Sequence, residues 1–325
     1  MTQITNVIGS NPNSGGTALV GNREDLEDVI YRVAAEATPF YSNIGKTPAN
    51  AVYHEWQTET LDPAVTSNKA IEGNLFTISA GNQSARIGNS CQIFTKTFSV
   101  SRTADRIKKA GRTSETNRQK VIKTLSLRRD VEFSSIANIA AVQRTSTVPG
   151  VMGGALTFLT TSTSVAAGGS NGGFSASPGP AVATNGTATR TFTEAQVKTV
   201  MALAFNAGGK PSQAYMSATD KQVFSSFTGI ADIRVEAKGT SMANIVGAAD
   251  LYVSDFGNLT LIPHPYALSR DCLIIDPDMW AFAELDGINA GEIAETGDGT
   301  QYAITYEGTV VCRNEAGSAV VRDLI

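Results

Sequence analysis

Apolar residues recur at the three- and four-residue spacing of an amphipathic helix in three segments of the chain. In residues 22–37, Asn22 can cap the first helix, and Pro39 follows its predicted end. A later helix is predicted to begin at Thr193 and to end before Gly208. Its inward positions are Val197, Val200, Met201, Ala204 and Phe205.

The remaining helical segment, residues 113–146, contains no glycine or proline. If continuous, it would form a rod of roughly 50 Å, far longer than the usual three to four turns. Only one side is apolar, so we expect it to lie across a sheet or along a neighbouring chain. The positions at helical spacing are Val121, Ile122, Leu125, Arg129, Glu132, Phe133, Ile136, Ile139 and Ala140.

Alternation of side chains predicts two strands, at residues 51–60 and 91–100. About two dozen mostly polar residues with turn formers separate them, so we predict one long β-hairpin. An isolated two-stranded hairpin is marginally stable in water, and we expect a neighbouring subunit to stabilise this one. Further short strands are predicted at residues 251–256, 258–262, 272–276 and 303–312.

Two segments lack this periodicity. Residues 1–21 are polar and rich in Gly, Asn and Ser, which indicates an extended arm. Residues 145–189 contain no charged residue and include a Gly- and Ser-rich run typical of a flexible loop or linker. The order of helix, hairpin, long helix and then mixed helix and strand predicts an α+β fold class with segregated parts.

Charge is low overall and unevenly distributed along the chain. Charged residues make up 17% of the 325 residues, compared with about 25% in typical soluble domains. Residues 102–129 carry ten basic and two acidic side chains, whereas the rest of the chain carries 16 basic and 28 acidic ones. This separation suits charge-complementary contacts between copies of the chain, or a basic surface facing nucleic acid.

Cysteine usage and hydropathy exclude several classes of protein. Cys91, Cys272 and Cys312 are far apart and form no Cys-x-x-Cys motif, so neither a disulfide framework nor a zinc site is expected. The N-terminal residues lack the basic start and apolar core of a signal peptide, and no long apolar run predicts a membrane span. We therefore expect a reduced, intracellular origin and no membrane association.

The segment Gly-Thr-Ser-Met-Ala at residues 239–243 resembles the one that carries the nucleophilic serine of subtilisin-like proteases. Such an enzyme needs a histidine base and an orienting aspartate, in the chain order Asp, His, Ser. His264 follows Ser241, and the strand-like run around His54 is unlike the histidine segments of those enzymes. A hydrolase centred on Ser241 is therefore rejected, and we expect no catalytic residue.

Other short motifs lack the partners that their chemistry requires. His-Glu at 54–55 has no second histidine one helical turn later for zinc, and Asp-Phe-Gly at 255–257 has no accompanying kinase motifs. The Gly-rich residues 168–173 lack the lysine of a phosphate-binding loop. Acidic turns at 276–278 and 297–299 lack the oxygen-ligand spacing of a calcium loop. We expect no cofactor, no metal and no enzymatic activity.

Several segments in succession resemble one protein family. Each is moderately specific, but their order along most of residues 22–285 is much more so. The chain resembles the major capsid proteins of tailed bacteriophages, in the large-phage head protein group that shares the Hong Kong-97-type capsid fold. The segments that carry the resemblance are residues 37–61, 86–112, 115–136, 148–159 and 251–280.

This resemblance implies an α+β fold with an N-terminal arm, an extended β-hairpin loop, a peripheral domain with a long spine helix, and an axial domain. Residues 1–50 would form the N-terminal arm and short helix, 51–97 the extended loop, 98–148 the peripheral domain with its spine helix, 149–285 the axial domain, and 286–325 the C-terminal strands returning to the peripheral domain.

The resemblance also implies a function. The chain would self-assemble as hexamers and pentamers into the icosahedral head of a tailed phage, around double-stranded DNA held without sequence-specific contact. Portal, scaffolding and decoration proteins would be further partners, and the virion head would assemble in the bacterial host cytoplasm. An encapsulin-like nanocompartment shell, which shares the fold and encloses a protein cargo, is the alternative.

Charge pattern and resemblance together predict assembly contacts. In a closed shell, different surfaces of one chain meet in heterologous contacts, which favours complementary charge. We hypothesise that charged residues of the spine helix form ion pairs between subunits, with pairs inside one subunit as the alternative. Lys69 lies in the loop, and no cross-link is assigned to it. The predicted contact residues are Glu55, Trp56, Lys69, Arg128, Arg129, Asp130 and Glu132.

Overall fold

The computed structural model describes residues 37–75, 78, 81–108, 113–174, 179–227, 250–266, 268–294 and 297–325. The predicted arm 1–21, the predicted helix 22–37 apart from Ala37, and Ser241 lie outside this part of the chain. The helices are α1 (Pro39–Asn43), α2 (Arg102–Arg106), α3 (Glu115–Ile136), α4 (Ala155–Phe158), α5 (Glu194–Asn206) and α6 (Ala218–Ser225). The strands are β1 (Gly45–Pro48), β2 (Tyr53–Thr58), β3 (Ala85–Ser90), β4 (Gln92–Ser101), β5 (Thr163–Ser164), β6 (Gly173–Phe174), β7 (Pro180–Ala181), β8 (Gln213–Met216), β9 (Leu251–Ser254), β10 (Gly257–Pro263), β11 (Cys272–Ile275), β12 (Trp280–Ile293), β13 (Gly299–Cys312) and β14 (Ala319–Val321).

Two large sheets organise the described part of the chain. The first has four strands in the order β1-β12-β13-β4, and the second has six in the order β5-β14-β11-β8-β10-β9. Among the described strands, β2 pairs only with β3, and β6 only with β7. Helices and strands do not alternate in a repeating βαβ pattern, so the predicted α+β fold class is confirmed.

The main hydrophobic core contains residues from both large sheets and from α1, α3 and α4. Three aromatic rings meet edge to face within it, with centroid distances of 6.0 Å from Phe40 to Trp280 and 5.8 Å from Phe158 to Trp280. Trp280 is fully buried, and its indole N–H donates to Ser318 Oγ at 2.8 Å. The ring therefore contributes its large apolar area without leaving a polar atom unsatisfied.

A second core covers the other face of the six-stranded sheet. Along β11, Leu273 and Ile275 belong to the main core, whereas Cys272 and Ile274 belong to the second, which also includes residues of α5 and α6. A strand that is covered on both faces needs apolar residues at every position. This requirement explains the uninterrupted Cys-Leu-Ile-Ile sequence of β11.

Helix α5 forms where the sequence predicts it. The Thr193 N–H donates to Gln196 Oε1 at 3.2 Å, as part of a capping box. Gly208 follows the helix with a φ of +84°, which glycine adopts at low cost. Four of the five predicted inward residues are buried. The prediction is wrong for Phe205, which is 53% exposed and contacts Phe256 at the surface.

The long helix α3 is shorter than predicted, because it ends at Ile136. Its 22 residues give a length of about 33 Å. Beyond it, the Asn138 side chain donates to Ala183 O at 2.7 Å and accepts from the Ala183 N–H at 2.9 Å, and Val142 pairs with Val151. These bonds to a distant segment replace the hydrogen bonds that a longer helix would make.

The buried face of α3 also differs from the predicted stripe. Val121 and Phe133, both placed on the apolar side by periodicity, are exposed. Helix α3 contacts β4 and β13, and two of the side chains it buries are polar. The buried residues are Leu127, Val131, Glu132, Ser135 and Ile136.

The predicted pairing of residues 51–60 with residues 91–100 is wrong. Strand β2 pairs antiparallel with β3, with Trp56 opposite Ile87. Strand β4 instead pairs with β13 at the edge of the first sheet. Side chains of β4 alternate as predicted, because one face of the strand, including Phe94, contributes to the main core.

The C-terminal residues 286–325 divide between the two sheets. Strand β13 joins the first sheet beside β4, whereas β14 pairs with β11 and β5 in the second sheet. Strand β12 has 14 residues and was not predicted. Its first four residues are buried and its last eight exposed, so it has no alternating pattern to detect.

Candidate functional site

The hairpin of β2 and β3 carries a long loop, residues 59–84, with large apolar side chains in solvent. No helix or strand forms in the described part of this loop. Five large apolar side chains in it are 61–96% exposed. A concentration of such residues in one segment indicates a surface that another chain covers. They are Leu61, Val65, Ile71, Leu75 and Ile78.

Of the predicted contact residues in the hairpin and its loop, two lie at the surface and one faces the subunit. Glu55 forms an ion pair with Arg86 across the two strands at 3.0 Å, and Lys69 is exposed in the loop. Trp56 stacks on Phe158 at a centroid distance of 6.3 Å. Its indole nitrogen has no hydrogen-bond partner among the described residues. Trp56 therefore anchors the hairpin to the main core.

Three of the predicted contact residues on α3 lie at least partly in solvent. Arg128 is exposed. The guanidinium carbon of Arg129 lies 5.4 Å from the centroid of the Tyr266 ring, which is cation–π geometry. Asp130 Oδ2 is 2.5 Å from Lys96 Nζ on β4. Asp130 thus holds α3 against the first sheet, as the alternative of pairs inside one subunit anticipated.

Glu132 is buried inside the subunit rather than placed at a contact. Its carboxylate accepts the backbone N–H groups of Phe40 and Tyr41, both at 2.7 Å, and lies 2.9 Å from His264 Nε2. Glu132 is fully buried, so it has no surface to offer a neighbouring subunit, and its expected role is corrected to an internal one. The same contact engages His264, the histidine that follows Ser241 in the sequence.

A network of four polar side chains joins β1 to β12 and was not predicted. Lys46 Nζ lies 3.1 Å from Glu284 Oε1 and 2.9 Å from the Tyr41 hydroxyl, and the Tyr306 hydroxyl donates to Glu284 at 2.7 Å. Burial alone would raise the pKa of Glu284, but hydrogen bonds from Tyr306, Lys46 and Tyr41 outweigh it and hold that pKa below its usual value. Burial and the hydrogen bonds of Tyr306 with Tyr41 and Glu284 raise the pKa of Tyr306.

Local sequence patterns could not have identified this network. Lys46 and Glu284 are 238 residues apart, and no motif marks either of them. The buried amide of Asn89, which bonds to Val310 O across 221 residues, was missed for the same reason.

The short motifs that were rejected as metal or cofactor sites have structural roles. The Asp276 side chain accepts the Asp278 N–H at 3.2 Å and caps a 3-10 turn, and Asp298 pairs with Arg102 at 2.9 Å. His54 lies in β2, where burial lowers its pKa. Among the described residues, no group of three or more His, Cys, Asp or Glu side chains is placed to hold a metal ion.

All three cysteines are buried free thiols. Burial raises the pKa of Cys91 to about 11 and the pKa of Cys312 well above its usual value. A thiol in such surroundings is inert as a nucleophile at neutral pH. Within the described ranges, no helix combines the length and apolar character needed to cross a membrane.

The sequence model of the SU10 major capsid protein family matches residues 12–324, which is almost the whole chain. The chain belongs to the SU10 major capsid protein family. The chain is thus a major capsid protein of a tailed-phage head, a structural component of the virion, and the predicted family and function are confirmed. No finding favours the nanocompartment alternative. None of the curated proteins matches the chain.

Solved structures similar to this chain include chains of capsids. The capsid chain of a native GTA particle is 12% identical, with a TM-score of 0.62 over 98% of this chain and 100% of that chain. A chain from Gordonia phage Cozz is 12% identical, with a TM-score of 0.62 over 98% and 99%. A chain from phage G major capsid and decoration proteins is 10% identical, with a TM-score of 0.53 over 100% of both. These similarities establish the Hong Kong-97-type capsid fold.

Proposed function

We propose that this capsid protein assembles as hexamers and pentamers into a closed icosahedral head that encloses double-stranded DNA. The observation that carries the proposal is the loop 59–84, whose five large apolar side chains are exposed in the single subunit. Burying one such side chain stabilises a contact by about 1.5–3 kcal/mol. Five of them together are comparable with the cost of association, about 4–15 kcal/mol. The loop is therefore able to drive contact between subunits.

Roles for the parts of the fold follow the family resemblance. Residues 1–50 are proposed as the N-terminal arm and residues 51–97 as the extended loop that lies over an adjacent subunit. Residues 98–148 and most of 286–325 contribute the peripheral domain, which the contact of α3 with β13 supports. Residues 149–285 contribute the axial domain, and the six-stranded sheet, four of whose strands are β8 to β11, supports that assignment.

Charge is proposed to align neighbouring subunits in the shell. The basic residues of 102–129 would meet acidic surfaces of other copies or phosphates of the packaged DNA, without sequence-specific contact. Arg128 is exposed, which supports its place in the basic surface. On the acidic side, Asp286 and Glu292 are exposed on the outer half of β12. Lys69 and Glu55 are proposed as contacts made by the loop.

Further partners are proposed by analogy with the fold. Portal and scaffolding proteins would guide assembly in the bacterial host cytoplasm. Decoration proteins are supported by the similarity to the phage G chain, whose structure contains such proteins. We propose no enzymatic activity, which agrees with a family of structural proteins.

Electron microscopy of the purified protein tests this proposal. Size-exclusion chromatography should give a megadalton species, and negative staining should show uniform closed particles. Particle diameter and nucleic-acid content would separate a phage head from a nanocompartment. A variant with Leu61→Ser and Leu75→Ser should keep the circular dichroism spectrum of the subunit and lose the particles, because both side chains are exposed before assembly. A small species that reacts at Ser241 with a fluorophosphonate would overturn the proposal.

A further inference from the structure

Asn89 lies at the base of the hairpin, fully buried, and every hydrogen-bonding position of its side-chain amide is used. Nδ2 donates to Gly153 O and to Val310 O, both at 3.0 Å. Oδ1 accepts from the Gly153 N–H at 2.8 Å and from the Ser90 N–H at 3.0 Å. An amide has two donors and two acceptor positions, so this one is saturated.

These bonds connect three separate parts of the fold. Asn89 belongs to β3, Gly153 precedes α4, and Val310 belongs to β13 of the first sheet. The β2–β3 pair is not part of either large sheet in the described structure, so it lacks the ladder of backbone bonds that would otherwise set its direction. The Asn89 side chain supplies bonds of that kind at one point.

A glycine outside the hairpin allows the body of the subunit to approach the hairpin backbone closely beside Asn89. Gly179 has a φ of +123°, and its Cβ would lie 2.9 Å from Gly88 O. The backbone at Gly179 therefore packs directly against the hairpin backbone at Gly88. Packed surfaces of this kind deform little.

We infer that Asn89 is a positioning residue that fixes the angle between the hairpin and the body of the subunit, and through it the curvature of the shell. The inference rests on the proposed function. Strand β3 extends about 14 Å from Asn89 to its far end at Ala85, at ~3.4 Å per residue. A tilt of about 10° would move that end by roughly 2.4 Å, more than a hydrogen bond tolerates. Neighbouring subunits would then meet at a different angle.

Two substitutions and a matched control test the inference. Asn89→Ala removes all four bonds, and Asn89→Asp keeps the acceptor for Gly153 and Ser90 but places a second oxygen against two carbonyl groups. Asn138→Ala is the control, because Asn138 also makes a two-way bond to a distant backbone, at Ala183, without touching the hairpin. Particle diameters are measured by electron microscopy and Tm by thermal unfolding.

We expect all three variants to lower Tm, and only the Asn89 variants to broaden or shift the diameter distribution or to give tubes and open sheets. If particles of the Asn89 variants have the same diameters as those of the wild type and of Asn138→Ala, the inference is overturned. A residue with a merely structural role would change Tm alone. If the wild type forms no particles at all, the proposed function fails instead.

Hydrogen exchange on the wild-type protein gives a second test that needs no variant to fold. If the hairpin angle is fixed within the single subunit, the Ser90 and Gly153 amides must be protected from exchange before assembly. Fast exchange of these amides in the free subunit, with protection appearing only in particles, would show that neighbours set the angle and would overturn the inference.

Discussion

At the residue scale, the buried carboxylate of Glu132 holds α1, the first described helix, against α3. Glu132 on α3 accepts two backbone N–H groups from α1 and contacts His264, which follows β10. Charge-assisted hydrogen bonds of this kind are about twice as strong as neutral ones, and burial keeps water from replacing them. Glu132 therefore serves the stability of the subunit, and the assembly contacts must come from exposed neighbours such as Arg128.

Replacing Glu132 by alanine is expected to lower the free energy of unfolding by about 3–5 kcal/mol, because two buried N–H groups and a histidine lose their partner. Urea denaturation of the unassembled subunit measures the change. Glu132→Gln should cost less, since its carbonyl oxygen still accepts a bond. Exposed Glu292→Ala, the surface control, should stay within about 0.5 kcal/mol of the wild type. A loss below about 1 kcal/mol for Glu132→Ala would contradict the anchor role.

At the element scale, β1 depends on side chains as well as on its ladder. It is a four-residue strand that pairs with β12 alone, in parallel. Lys46 on β1 reaches Glu284 on β12, and two tyrosine hydroxyls complete the network. A short parallel edge strand has few backbone bonds, so this network is expected to hold it in register.

The network gives the subunit an acid-sensitive contribution to stability. The pKa of Glu284 is held below its usual value of about 4.3, so its contribution is present above that pH and is lost as pH falls through the lower, folded-state pKa. The Tm of Glu284→Gln should therefore fall by less than the Tm of the wild type between pH 5 and pH 3. Thermal unfolding followed by circular dichroism measures both values. Glu292→Gln is the exposed control. If Tm changes with pH identically in the wild type and in Glu284→Gln, this assignment is refuted.

At the scale of the whole molecule, the subunit separates internal charge pairs from exposed charge. Asp130 and Glu132 are engaged inside the subunit, by Lys96 and by His264 with the backbone of α1. Arg128 remains exposed, and Arg129 lies over the Tyr266 ring. The exposed apolar loop supplies the area for contact, and exposed charge supplies its orientation.

Reversing the charge at Arg129 is expected to lower the yield of particles while α3 remains folded, since the helix does not depend on that charge. Sedimentation of assembled particles at low and high salt measures the yield, and circular dichroism checks the helix. Arg128→Glu is the matched variant, because Arg128 is exposed beside it. If Arg129→Glu lowers only Tm and leaves the yield unchanged at every salt concentration, Arg129 acts through Tyr266 inside the subunit.

Local periodicity determined much of this protein from the sequence alone. The apolar stripe and the glycine that follows it predicted α5, and alternation predicted the shared face of β4, because both patterns arise within a few neighbouring residues. The order of several short segments was enough to indicate the capsid family and its α+β fold. The loop 59–84 was predicted as a mostly polar segment, and its five exposed apolar side chains were not singled out, because the sequence alone does not show which side chains are exposed.

Tertiary structure alone decided which strands pair and where α3 ends. Strand β4 pairs with β13 across roughly two hundred residues, and α3 ends where Asn138 meets the backbone of Ala183. Partners of Glu132 and Asn89 are also far away along the chain, 132 residues for His264 and 221 residues for Val310. Such contacts form only when the chain has folded, since buried polar groups must find whatever partner the packing brings to them.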